Sequence, residues 1–252
     1  METNVQSTDS HQLIEIPMEF KVACFISKIE VAEALQIFIN HVTFYDTLSK
    51  EYIEGYSEAS GIHETYVQSK GLAPAPASGL TGCNELFVRS LSDVIKLTKD
   101  KKNTAEAKRK KSRPIVKTIF KAMKRVHTPS LTMYLDEVAT IHLSEDFCLM
   151  CEIQNIYPKE CLEYFMNSIS LADAHARRDL EGAADLPLSL FLKIGSGFGR
   201  DPQTKVKLSD IEIDFFAAMN EKLLELRRVR SVEQRTTILR ELYRSHYINM
   251  NH

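Results

Sequence analysis

Slid on itself by 127 positions, the chain aligns Phe20–Gly55 (FKVACFISKIEVAEALQIFINHVTFYDTLSKEYIEG) with Phe147–Gly182 (FCLMCEIQNIYPKECLEYFMNSISLADAHARRDLEG) without a gap. Eleven of the 36 pairs are identical, among them Phe20/Phe147, Cys24/Cys151, Ile29/Ile156, Glu33/Glu160, Phe38/Phe165, Asn40/Asn167 and Asp46/Asp173. Unrelated segments of ordinary composition share only about two such pairs, so the match predicts an internal duplication. It resumes downstream, where ELFVRSL at Glu85 faces IDFFAAM at Ile213 and IVKTIFK at Ile115 faces ILRELYR at Ile238. The spacing is far beyond the roughly 20–50 residues of solenoid units, which points to a duplicated small domain and not a superhelical array.

The organisation this implies is a polar tail over 1–9, a first copy over 10–127, a linker over 128–136 and a second copy over 137–252. Leu35, Phe38, Ile39 and Val42, mirrored by Leu162, Phe165, Met166 and Ile169, follow the spacing of an amphipathic helix. The pattern predicts helices beginning near 28 and near 157, with Ser27 and Glu30 as a capping box in the first copy and Pro158 in the first turn of the second. The apolar runs just ahead, FKVACFI and FCLMCEI, suit either a short buried strand or a separate helix. The later stretches NELFVRSLSDVIKLTK, RPIVKTIFKAMKRV, DIEIDFFAAMNEKLLELRR and VEQRTTILRELYRSHY all read as helical, and GLAPAPASGLTG and GSGFGRDPQTK as loops. The fold class is therefore mainly α, in two tandem halves of three to four helices each.

Several chemistries lack their residues. GSGFGR follows an apolar run, but Arg200 stands where a dinucleotide fingerprint needs glycine, and no GxxxxGK[ST] occurs. Cys148 and Cys151 have zinc-knuckle spacing, yet they sit in an apolar run and the first copy keeps only Cys24, so they read as core thiols and no metal or other cofactor is expected. No HExxH or nucleophile elbow is present, and the neighbours Asp173 and His175 align with Asp46 and Leu48, which breaks any duplicated acid–base pair. A non-enzymatic protein is the expectation. Glu33 and Asn40, repeated as Glu160 and Asn167, lie on the polar side of their helix and read first as hydrogen-bonding partners of a neighbouring element. No apolar run approaches the roughly 18 residues of a membrane span and the N-terminal stretch METNVQSTDSHQ is unlike a secretory signal, so no membrane is expected and the cytoplasm is the default setting.

What remains is charge. Lys99–Arg125 holds twelve Lys or Arg against Asp100 and Glu106 alone, although the whole chain carries a formal charge of only −2. Lys101, Lys102, Lys108, Arg109, Lys110, Lys111 and Arg113 fall in what reads as a basic loop over 99–113. Lys117, Lys121 and Lys124 follow on one helical face, with Arg125 beside them. Arg227, Arg228 and Arg230 occupy the matching connection of the second copy. Positive charge at the same place in both copies suggests backbone-directed binding of DNA or RNA, as a regulator or part of a nucleoprotein assembly. The alternative is a scaffold in which the two copies offer docking faces to protein partners. A solvated linker and a nuclear-import reading of KRKK also fit the run.

Overall fold

The computed structural model describes residues 13–71, 80, 82–125, 129–135, 139–177, 185–201 and 208–251. Among these the chain is mainly helical, with twelve helices and one small three-stranded sheet. The first half holds β1 (Leu13–Ile14), α1 (Met18–Ile26), α2 (Val31–His41), α3 (Phe44–Leu48), α4 (Tyr56–Ser69), α5 (Asn84–Thr98) and α6 (Ala105–Met123). Then come β2 (Thr132–Leu135) and β3 (Ala139–His142), followed by α7 (Glu145–Ile153), α8 (Pro158–Asn167), α9 (Leu171–Arg177), α10 (Leu186–Gly195), α11 (Asp210–Leu226) and α12 (Val232–Asn251). The starts of α1 and α7, α2 and α8, α3 and α9, and α6 and α12 are all separated by the offset at which the sequence aligns with itself.

Both apolar runs ahead of the aligned helices are themselves helices, α1 and α7, and the strands precede them. Each ends in the same way. Ile29 N–H donates to the Cys24 carbonyl and Lys28 N–H to that of Phe25; Ile156 N–H donates to Cys151 and Asn155 N–H to Glu152. Lys28 (φ 55°) and Asn155 (φ 52°) take the left-handed conformation that this Schellman arrangement requires, and Ile29 and Ile156 after them are buried. This stop explains why α2 and α8 begin at Val31 and Pro158. Ser27 closes α1 and does not cap α2, contrary to the expected capping box.

Three other expectations are corrected. Among the described residues each half carries six helices, not three to four. The expected linker over 128–136 contains β2, and most of the expected basic loop over 99–113 is the first half of α6, started by the Thr104 side chain accepting from Ala107 N–H. The last helices of the two halves can also be compared in register. Lys108, Arg109, Ser112 and Val116 are buried, as are Arg235, Thr236, Leu239 and Tyr243, each at the self-alignment offset from its counterpart. The pairing of Ile115 with Ile238 departs from that offset by four residues, about one helical turn, which leaves an apolar stripe on the same face. The tail over 1–9, the boundary at 127 and most of GLAPAPASGLTG lie outside the described residues.

The chain divides into two compact units, one of Met1–Glu15 with Leu35–Phe165 and one of Ile16–Ala34 with Met166–His252. In the first unit, β1 pairs parallel to β2 and β2 antiparallel to β3, with Ile14, Met133, Leu135 and Ile141 turned inward. The side-chain amide of Gln36 satisfies the backbone of His142, donating to its carbonyl (2.8 Å) and accepting from its N–H (2.9 Å). Phe38 stacks on Phe165, its aligned counterpart, at 4.4 Å and 9°, and meets Phe147 edge-on at 6.1 Å. Burial of each such ring contributes roughly 1.5–3 kcal/mol. Here α7 packs on α6, and α3 touches α4, α5, α6 and α7.

In the second unit α9, α1 and α11 pack on α12. Phe20 meets Phe191 at 5.8 Å, and Phe215 stacks on His246 at 3.6 Å. Each unit therefore contains the leading helix of one half and the closing helix of the other: α7 with α6, and α1 with α12.

Candidate nucleic-acid interface

The basic segment is a helix because Thr104 caps its start, its residues other than Pro114 are tolerant of helix, and one side of it is apolar enough to be buried. Val116, Ile119, Phe120 and Met123 fix that inner side. Two of the predicted site residues join them. Lys108 is 3% exposed and donates to Glu51 at 2.7 Å. Arg109 is 7% exposed and grips Asp46 with both ends of its fork, at 2.7 and 2.9 Å. Its guanidinium carbon lies 3.4 Å from the centroid of the Tyr56 ring, which His41 also approaches at 4.4 Å. Burial, first, and the nearby Arg109 charge hold the His41 imidazole below its usual range, against the opposing bond to the Ile37 carbonyl and the Asp46 charge. Lys108 and Arg109 thus hold unit one together and are not available to a ligand.

The opposite side of α6 is another matter. Lys110, Lys111, Arg113, Lys117 and Lys121 are all exposed there, with Pro114 and Thr118 between them. Eleven residues of helix separate Lys110 from Lys121, a rise of about 16 Å. No Asp or Glu occurs from Ala107 to Arg125, so no acid on α6 beyond its first turn offsets this face. Lys124 is half-buried above the Phe120 ring at 5.1 Å, and Arg125 is exposed just past the helix. Lys101 and Lys102 are exposed in the turn ahead of it, where Asp100 accepts from the Lys102 N–H. Arg227, Arg228 and Arg230 lie between α11 and α12 and belong to the second unit; Arg227 and Arg228 are exposed.

Arg113 has an acid near it on another element. Asp146, in the first turn of α7, accepts from Phe44 N–H at 2.9 Å. Burial raises its carboxyl to about 6, against the bond from Phe44 and the Arg113 charge, which lower it. The acid at the aligned position of the second unit, Glu19 on α1, accepts from the Ser170 hydroxyl at 2.8 Å and from Arg240, which matches Arg113, at 2.9 Å.

The other residues singled out in the sequence have structural partners. Glu33 takes Arg200 at 3.1 Å, and Arg200 also donates to the Lys28 carbonyl; Glu160 takes the Tyr66 hydroxyl at 2.8 Å and Lys70 at 3.8 Å. Asn40 accepts from Gln36, and Asn167 is exposed. In GSGFGR, Gly197 (φ 106°) and Gly199 (φ 72°) turn the chain so that Arg200 reaches these partners, which is a clamp and not a phosphate loop. The five cysteines are free; Cys24, Cys148, Cys151 and Cys161 are buried, and burial pushes the Cys148 thiol to about 12.

The Asp46–Arg109 pair escaped the sequence reading, although a signal existed. Thr43-x-x-Asp46 and Ser170-x-x-Asp173 are capping patterns at aligned positions, and the hydroxyls do accept from Asp46 N–H (3.0 Å) and Asp173 N–H (3.2 Å). No known protein family, no curated protein and no solved structure matches this chain. No helix among the described residues is long and apolar enough to cross a membrane.

Proposed function

We propose that this is a non-enzymatic nucleic-acid-binding protein that holds the phosphate backbone on the outward face of α6, acting as a regulator or within a nucleoprotein assembly in the cytoplasm. The observation that carries the reading is the row of exposed cations from Lys110 to Lys121 on a helix whose inner cations are already neutralised by Asp46 and Glu51. Such a face attracts a polyanion and releases counterions on binding it. Lys101, Lys102 and Arg125 extend the charge at either end, and Arg227, Arg228 and Arg230 give the second unit a smaller basic edge. The proposal includes an origin by duplication of one small helical domain. Helix starts, Schellman stops and the Thr43 and Ser170 caps, all recurring at the self-alignment offset, support it.

A second reading rests on α11, whose Ile211, Ile213 and Leu224 are 61, 52 and 58% exposed. A helix showing that much apolar surface suits a protein scaffold with a docking face.

Fluorescence anisotropy with labelled DNA and RNA, from roughly 50 to 200 mM salt, tests the first reading. Micromolar or tighter binding that weakens steeply with salt, and falls at least about tenfold when Lys110, Lys111, Lys117 and Lys121 are changed to Gln, is the expected result. No binding at the low-salt end sinks it and leaves the scaffold reading.

A further inference from the structure

Resting on the nucleic-acid reading of α6, we infer that its ligand is the double helix, gripped by its phosphates without reading of bases, and not a single strand. Two features of the face point this way. Single-strand binders stack bases on exposed rings, and the α5–α6 segment offers none: Phe120 is fully buried beneath Lys124, and Phe87 packs on Phe44. The outward cations of α6 are lysines except Arg113, so a single guanidinium fork is present on this face to read a guanine edge.

The shape of the face agrees. The row lies along one helix that continues through Pro114, and it is held from behind near its start by Arg109–Asp46 and Lys108–Glu51. A row of charges carried on a packed helix suits a stiff partner with fixed phosphate positions. A duplex also presents one charge per about 1.7 Å of axis against about 3.4 Å for one of its strands, so about twice as many phosphates lie within reach of the same lysines. A flexible strand would offer fewer charges and lose more freedom on being straightened along the helix.

The test titrates the full chain against one sequence as a DNA duplex, an RNA duplex and each single strand, in the same salt series. The expected result is that a duplex binds at least about tenfold tighter than its single strands, with a log–log salt slope near about −4 for four or five neutralised phosphates. Lys117→Gln with Lys121→Gln reduces that slope by about 2, with an unchanged thermal melt as the control for folding. Scrambling the duplex sequence leaves affinity unchanged. The tighter of the two duplexes identifies which nucleic acid is the source. Single strands binding as tightly as duplexes, or strong dependence on sequence, overturns this inference and leaves nucleic-acid binding standing. An unchanged slope in the double variant removes α6 as the site. No binding by any of the four defeats the parent reading itself.

Discussion

Asp46 and Asp173 stand at aligned positions of the two halves, each the third residue of a short helix whose start is capped by a hydroxyl, Thr43 for α3 and Ser170 for α9. Their surroundings differ. Asp46 is buried and takes both arms of Arg109 from α6, as well as the Thr43 hydroxyl at 2.5 Å. Asp173 is partly exposed and takes Arg177 from its own helix at 2.8 Å, while Thr236, at the position matching Arg109, reaches it only at 3.4 Å. A cap tolerates an open carboxylate held by a local partner. Once buried, the same carboxylate needs a full complement of donors, and in the first unit that need commits the most basic stretch of the chain to a structural task.

The largest expected effect follows from that contrast. Arg109→Met leaves Asp46 buried without its cation and is expected to cost about 3–5 kcal/mol in urea unfolding, whereas Thr236→Val removes one long hydrogen bond and costs less than about 1 kcal/mol. Equal losses in the two variants would break the comparison. Adding Asp46→Asn to the Arg109 variant is expected to recover part of the loss, because the unpaired charge goes with it.

Acid separates the units next. His63 on α4 is 1% exposed, its Nε2 has no hydrogen-bond partner, and burial lowers its pKa to about 4, while α10 in the second unit contains no histidine. The imidazole is neutral in the fold and must gain a proton on unfolding. Its contribution is present above the ordinary value of 6.5 and is lost as pH falls through the window from 6.5 to about 4, up to about 3 kcal/mol in all. His63→Leu is expected to flatten that part of the stability–pH curve. A curve as steep as wild type would show that His63 is not the group responsible.

Asp146 works in the opposite direction. Its carboxyl is raised from 3.8 to about 6, so its contribution is present below 3.8 and is lost as pH rises through 6. Asp146→Asn keeps an acceptor for Phe44 N–H and removes the buried charge. It is expected to gain about 2 kcal/mol at neutral pH and nothing near pH 3.8. Glu19→Gln, the matching change in the more open second unit, loses an ion pair with Arg240 and costs less than about 1 kcal/mol. A loss of stability at neutral pH in Asp146→Asn would show that the Arg113 charge outweighs burial at this carboxyl.

The helical content and the positions of the long helices were legible because apolar residues at helical spacing leave few alternatives. The recurrence along the chain was legible from identities such as Cys24/Cys151 and Ile29/Ile156, which lie at the two Schellman stops. The stops themselves were not, since Lys28 and Asn155 are not glycine and nothing local announces a positive φ there. At the site, part of the exposed row was readable from the spacing of Lys117 and Lys121, whereas Lys124, expected on the same face, is half-buried above Phe120, and Lys110 was read as loop. The inward turn of Lys108 and Arg109 was not, because a lysine or arginine is written identically whether it faces water or a buried acid. Only Glu51 and Asp46, 57 and 63 residues away in sequence, decide the matter. The packing of α1 with α12 and of α7 with α6 is likewise a long-range matter, which periodicity does not encode.

The smallest effect separates those two stops. Asn tolerates the left-handed region and Lys does so poorly, by roughly 1 kcal/mol, so the first unit's stop is the better served by its own residue. Asn155→Gly is expected to gain only a few tenths of a kcal/mol. Lys28→Gly ought to gain more, but the Lys28 ammonium pairs with Glu212 and lies 4.9 Å from the Phe25 ring centroid, and losing both contacts offsets the backbone relief. In the wild-type background its net effect is therefore near zero. In a Glu212→Gln background, where the carboxamide can still accept from the Ser209 N–H, the ion pair is already gone, and Lys28→Gly is expected to stabilise by about 0.5–1 kcal/mol in the thermal melt. A gain of the same size in both backgrounds would mean that the ion pair contributes nothing. No gain in either would mean that the left-handed lysine carries no strain.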